Sequence, residues 1–152
     1  MLKNLTIQLI MVAAVLMSCH TNTSPALKFI ASEDFIKANL PFSEAVIVDN
    51  IIFLSGQVGS GDDVMQLVEG GIQAESEQAL ENMKRALERN GSSLENVVKC
   101  TVMLADINEW AEFNKVYVRY FPNHKPARSA FATNGLALGA RVEVECIAII
   151  PR

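Results

Sequence analysis

Val142-Glu143-Val144-Glu145-Cys146-Ile147-Ala148-Ile149 decides how this chain folds. The stretch alternates with period two, so Val142, Val144, Cys146 and Ala148 point one way and Glu143, Glu145, Ile147 and Ile149 the other. The first set is apolar and should meet helices. The second begins in carboxylates and ends in isoleucines, which a solvated sheet face has little reason to do. That face is therefore expected to pack on other copies of the chain, with its carboxylate end lining a cleft between them.

Immediately upstream lies Pro126-Ala127-Arg128-Ser129, leading into a strand expected over Ser129 to Thr133. A glycine-containing turn near Leu138-Gly139 should join it to the final strand, Arg141 to Ile150. Proline fixes the backbone entering a strand, so Arg128 can be aimed by a rigid element. Its guanidinium offers five donors in a planar fork suited to a carboxylate, and it stays charged at any working pH. A glutamate on the next strand would supply acid/base chemistry.

Working back along the chain, Ala45 to Val48 and Ile51 to Leu54 are apolar runs separated by Asp49-Asn50. This predicts a hairpin with a two-residue turn. The second run ends at Ser55-Gly56-Gln57, where a glycine lets backbone approach a ligand or another chain. Ile72 to Arg89 carries Ile72, Ala79, Leu80, Met83, Ala86 and Leu87 on one helical stripe, with the charged residues mostly elsewhere, and Asn90-Gly91 closes it. Val97 to Ala105 reads as a strand, and Asn108 to Tyr120 as a second amphipathic helix displaying Trp110, Phe113, Val116 or Tyr117, and Tyr120. The order β-β-α-β-α-β-β predicts an α+β domain, a mixed sheet with two helices on one face.

The chain has 152 residues, half of them hydrophobic, which suits one globular domain. Its net charge of −4 and thirteen Lys and Arg without a basic run argue against a nucleic-acid partner. Residues 1–19 read as a leader rather than as part of the fold. Lys3 is followed by an apolar stretch from Leu5 to Met17, shorter than the ~20 residues a bilayer span needs. Leu16-Met17-Ser18-Cys19 resembles a bacterial lipobox, which implies lipid on Cys19, export, and a membrane contact made through that anchor. Residues 20–26 would be a tether and 27–152 the domain. Three cysteines leave Cys100 and Cys146 within β-patterned runs. Buried, inert thiols are the default there, and a disulfide would need Cα atoms within ~7 Å. The two histidines, His20 and His124, are isolated and fit no metal site.

Six anchors in order along the chain resemble the Rid family of reactive-intermediate (enamine/imine) deaminases, also called the RidA or endoribonuclease L-PSP group. They are Pro41-Phe42-Ser43-Glu44-Ala45-Val46, Leu54-Ser55-Gly56-Gln57, Gln78-Ala79-Leu80-Glu81-Asn82-Met83, Asn114, Pro126-Ala127-Arg128-Ser129, and Val142 to Ala148. The resemblance implies a chorismate-mutase-like fold, a homotrimer with sites between subunits, and cofactor-free hydrolysis of 2-imino acids such as 2-iminobutanoate and 2-iminopropanoate. It further implies that Arg128 pairs with the substrate carboxylate and Glu143 handles the water. Backbone at Ser55, Gly56 and Ala130 would orient the substrate, while Asn114 and Phe42 would border it. Two residues depart from the family pattern: Phe42 stands where tyrosine is common, and Ala130 where cysteine is common. A second reading is a non-catalytic trimeric ligand-binding or holdase-like module using the same clefts.

Overall fold

The computed structural model describes residues 24–152. The leader, Cys19 and residues 20–23 of the tether lie outside the described residues. Six strands form one sheet: β1 (Leu27–Ile30), β2 (Ala45–Val48), β3 (Ile51–Val58), β4 (Val97–Leu104), β5 (Ala127–Ala132) and β6 (Val142–Ile149). Their spatial order is β1-β2-β3-β6-β4-β5. Neighbours run antiparallel except β4 and β5, which are parallel. Three helices accompany the sheet: α1 (Glu33–Lys37), α2 (Gly71–Arg89) and α3 (Trp110–Tyr120).

The β6 alternation places residues as its period requires. Val142, Val144, Cys146 and Ala148 are buried in the core with inward residues of β3 and β4 and the inner stripes of α2 and α3. Glu143, Glu145, Ile147 and Ile149 lie on the uncovered face. Strand register aligns Phe29, Val46, Phe53, Ile147 and Lys99 in one row across that face. Phe29 is 71% exposed and Phe53 43%. The β2–β3 hairpin turns on Asp49-Asn50, with Val48 opposite Ile51 and Asp49 at φ 54°. A short carboxylate side chain tolerates that left-handed backbone.

The structure differs from the sequence reading in four places. β1 and α1 precede the expected elements. They are four and five residues long, too short to show a period. β3 does not stop at Ser55 but continues to Val58 through a register shift between Leu54 and Gln57, a bulge that re-aims the chain at Gly56. Glu75, expected among the solvated charges of α2, is buried, because its Oε2 accepts the backbone N–H of Arg141 at 2.8 Å. On α3 the buried stripe is Phe113, Val116 and Tyr117, and Trp110 is left 44% exposed.

Candidate active site

A cavity of about 500 Å³ opens at the bulged end of β3, where α1, the segment after β3 and the turn before β6 converge. Glu143, Gly56 and Phe42 all line it. The Glu143 side chain lies directly over Gly56: a Cβ at position 56 would fall 1.8 Å from Glu143 Oε1 and 2.6 Å from its Cδ. The glycine anticipated as a point of close approach is thus approached by the chain's own glutamate. Burial, and secondarily the charge of Glu145 two residues on, raises the Glu143 carboxyl above its ordinary pKa. A carboxyl tuned upward beside a cavity is suited to exchange protons with a bound molecule. Ser55 stands beside it, its hydroxyl donating to Ser43 O at 2.7 Å and its backbone N–H to Glu44 O at 2.9 Å.

Asn82 fixes the end of β3 from the α2 side. Its Nδ2 donates to Val58 O at 3.0 Å and to Ser60 O at 2.8 Å, and its Oδ1 accepts from Gln78 Nε2 at 2.9 Å. The Gln78-to-Met83 motif therefore works as a clamp between helix and strand.

Arg128 is elsewhere. It pairs in register with inward-facing Cys100, so its side chain belongs to the helix side of edge strand β5. There its guanidinium sits 4.6 Å from the Tyr117 ring centroid, 5.7 Å from Phe113 and 5.8 Å from Trp110. Aromatic faces attract a cation without neutralising it, and among the described residues no carboxylate pairs with Arg128. Asn114 occupies the same face of α3, four residues after Trp110 and three before Tyr117. Ala130, opposite Val102, packs partly into the core. Beneath this cradle Cys100 and Cys146 face each other across β4 and β6, both free. Burial raises both thiols, which leaves them unreactive.

The candidate residues thus fall into two groups: Phe42, Gly56 and Glu143 lining the cavity, with Ser55 next to Gly56 but outside the lining, and Arg128, Asn114 and Ala130 at the β5 edge. Arg128 and Glu143 are separated by two strand spacings across the sheet and by three residues along it. That puts their Cα atoms about 14 Å apart with side chains on opposite faces.

A family model described as endoribonuclease L-PSP matches residues 32–150. The chain belongs to the endoribonuclease L-PSP family. Protein HMF1 of Saccharomyces cerevisiae is 51% identical over 107 residues, covering 70% of this chain and 82% of that protein. The 2-iminobutanoate/2-iminopropanoate deaminase of Homo sapiens is 46% identical over 109 residues, covering 72% and 80%. The crystal structure of RidA from the Antarctic bacterium Psychrobacter sp. PAMC 21119 superposes with a TM-score of 0.70 at 35% identity, covering 85% of this chain and 100% of that one.

The sequence reading of this family member missed two features. The aromatic cradle of Arg128 was visible as the spacing of Trp110, Phe113 and Tyr117, but was read as core stripe alone. Glu44, Arg85 and Arg89 also line the cavity. No spacing rule could bring Glu44 to Arg89, which lies 45 residues away.

Proposed function

We propose that this chain hydrolyses 2-imino acids and their enamine tautomers to 2-keto acids and ammonia. The observation that carries the reading is an arginine cradled by aromatic rings with no carboxylate partner among the described residues, in a chain that also places an upward-shifted carboxyl over a glycine in an open cavity. Arg128 would take the substrate carboxylate in a charge-assisted fork, fixing the C=N carbon. Glu143 would accept a proton from water as the water oxygen bonds to that carbon, forming a carbinolamine. It would return the proton to nitrogen, and the C–N bond would break to release ammonia as the hydroxyl gives its proton to the departing nitrogen and becomes the keto oxygen. Acid/base help of this kind is worth ~10² to 10⁴-fold.

A small imino acid spans far less than the ~14 Å between the two groups of one chain. The reading therefore takes Arg128, Asn114 and Ala130 from one copy and Glu143, Gly56, Ser55 and Phe42 from the next. The apolar uncovered face supports such an assembly, with a homotrimer as the proposed form. Lipid on Cys19 and an exported location complete the proposal, and mass spectrometry of the mature N-terminus tests that part. The net charge of −4 favours small substrates over RNA.

The test is complementation. Arg128→Ala and Glu143→Ala proteins should each release keto acid at the uncatalysed rate when supplied with an amino-acid oxidase and its substrate. Unfolded together in equal amounts and reassembled, they should recover about one quarter of wild-type activity, the share of sites built from two intact halves in a random ring. Wild type at the uncatalysed rate would sink the deaminase reading, and wild-type activity in Arg128→Ala would remove Arg128 as the carboxylate anchor. Active wild type with no recovery on mixing would sink the shared site.

A further inference from the structure

Glu44 is buried at 3% side-chain exposure and binds Arg89 through Oε1, yet its Oε2, itself covered, has no hydrogen-bond partner among the described residues. A buried carboxylate oxygen without a donor is costly and uncommon. Glu44 lines the same cavity as Glu143. So does Arg85, an exposed guanidinium whose Nη2 donates only to the neutral Asn82 Oδ1, at 2.6 Å, and which pairs with no carboxylate among the described residues. Arg85 stands one helical turn before Arg89, the partner of Glu44, so the two lie toward the same end of the cavity: an acceptor lacking a donor and a cation lacking an anion among the described residues. Phe35, Leu40, Val64 and Met65 add apolar wall to the cavity.

The charges select the ligand's chemistry. Arg89 already balances Glu44, and Arg85 repels a further cation, so an ammonium-tipped chain is disfavoured. A carboxylate tip would meet Glu44. A neutral head that both donates and accepts satisfies the two vacancies together. Reach is adequate too. Glu44 is hydrogen-bonded to Ser55, and Glu143 lies over neighbouring Gly56. The two ends are thus one to two strand spacings apart, about 5–10 Å, the span of a side chain with two or three carbons.

We propose that Glu44 and Arg85 form a subsite for the far end of the substrate, binding a side-chain carboxamide, with the Glu44 carboxylate turning so that its covered Oε2 accepts the amide N–H, and the amide carbonyl on Arg85. This rests on the deaminase reading for the position of the reacting carbon, and names its preferred substrates as 2-imino acids with an amide-tipped side chain.

Calorimetric titration of the full chain with two stable acids tests it. Glutaramate carries a terminal carboxamide, and 5-methylhexanoate has the same length with an isopropyl end. Wild type should bind the amide at least about tenfold more tightly, since a site built for hydrogen bonds rejects an analogue lacking them. Glu44→Gln, which replaces the acceptor by a donor, should bring the ratio near one. Arg85→Gln, on the exposed side of α2, should lower it even if the Glu44 variant fails to fold. Arg128→Ala should weaken both acids alike and preserve the ratio. Equal or undetectable binding of both acids by wild type, or a ratio unmoved in the Glu44 and Arg85 variants, overturns the subsite. Should wild type hydrolyse imines while binding both acids equally, the subsite falls and the deaminase reading stands. Should the amide preference hold while wild type releases keto acid only at the uncatalysed rate, the deaminase reading falls instead and the subsite stands.

Discussion

Adding one methyl group at Gly56 should disable the site while leaving the fold intact. Gly56 does not adopt a left-handed backbone, so alanine is conformationally acceptable there. Its methyl would nevertheless fall 1.8 Å from Glu143 Oε1 and 2.8 Å from its Cγ, whereas ordinary contact begins at 3.4 Å. The neighbour that must yield is a rotatable side chain, which can swing aside by about 1.6 Å. Stability should consequently fall by no more than about 1 kcal/mol, the cost of an off-rotamer side chain. Catalysis should suffer more, because a displacement near 1 Å from the reactive geometry costs ~10²-fold. Keto-acid release coupled to an amino-acid oxidase measures this, alongside a melting curve. The decisive arm is a double-mutant cycle. In a Glu143→Ala background, Gly56→Ala should no longer lower the melting temperature, since the side chain that it would displace is gone. A Gly56→Ala protein that retains wild-type kcat/KM, or one that is destabilised equally whether or not the Glu143 side chain is present, refutes the account of Gly56 as the seat of Glu143.

Glu145→Gln should shift the acid limb of the pH–rate profile to lower pH. Proton acceptance requires ionised Glu143, so rate rises as pH passes its native pKa. Burial remains the larger cause of the upward shift, so the limb should stay above the ordinary carboxylate range even after the Glu145 charge is removed. The same raised pKa makes ionised Glu143 slightly destabilising, and stability should fall as pH rises from the ordinary glutamate range through the native value. A Glu143→Gln protein should lack that fall in urea titrations across the window. Asn82→Ala should lower stability by about 2 kcal/mol, because Val58 O and Ser60 O lose their donors at the end of β3. A urea midpoint unchanged from wild type would remove Asn82 as the helix–strand clamp.

Legibility of the fold followed the strength of each periodic signal. β6 alternates without interruption over eight residues, and one strand of that regularity separated covered face from uncovered face for the whole sheet. The Asp49-Asn50 turn was equally plain, because few residues accept its backbone. The bulge at Gly56 was not. Tertiary pairing with β6 extends β3 past a glycine that local propensity treats as a terminator. Glu75 illustrates the same limit from the other side. A glutamate on a helix reads as solvated until a backbone N–H 66 residues away is found to need its oxygen.

The site divides along the same line. Glu143 could be placed on the uncovered face by counting from Val142, since parity along a strand is a local property. Arg128 could not be oriented that way, because Ser129, Phe131 and Ala132 give β5 no apolar rhythm, and its facing is inherited from Cys100 across the parallel pair. Parity then carries a consequence that no motif states. On the proposed reading, an arginine that binds the substrate carboxylate and a glutamate that handles its protons, lying on opposite faces of one sheet, cannot grip the same small molecule. Their occurrence in one chain is coherent only if copies of the sheet are brought together so that the β5 edge of one meets the bulged end of β3 in the next. The exposed row from Phe29 to Ile147 gives such copies an apolar reason to associate. Chemistry and assembly are therefore one hypothesis, and an active, dilution-stable monomer would contradict both.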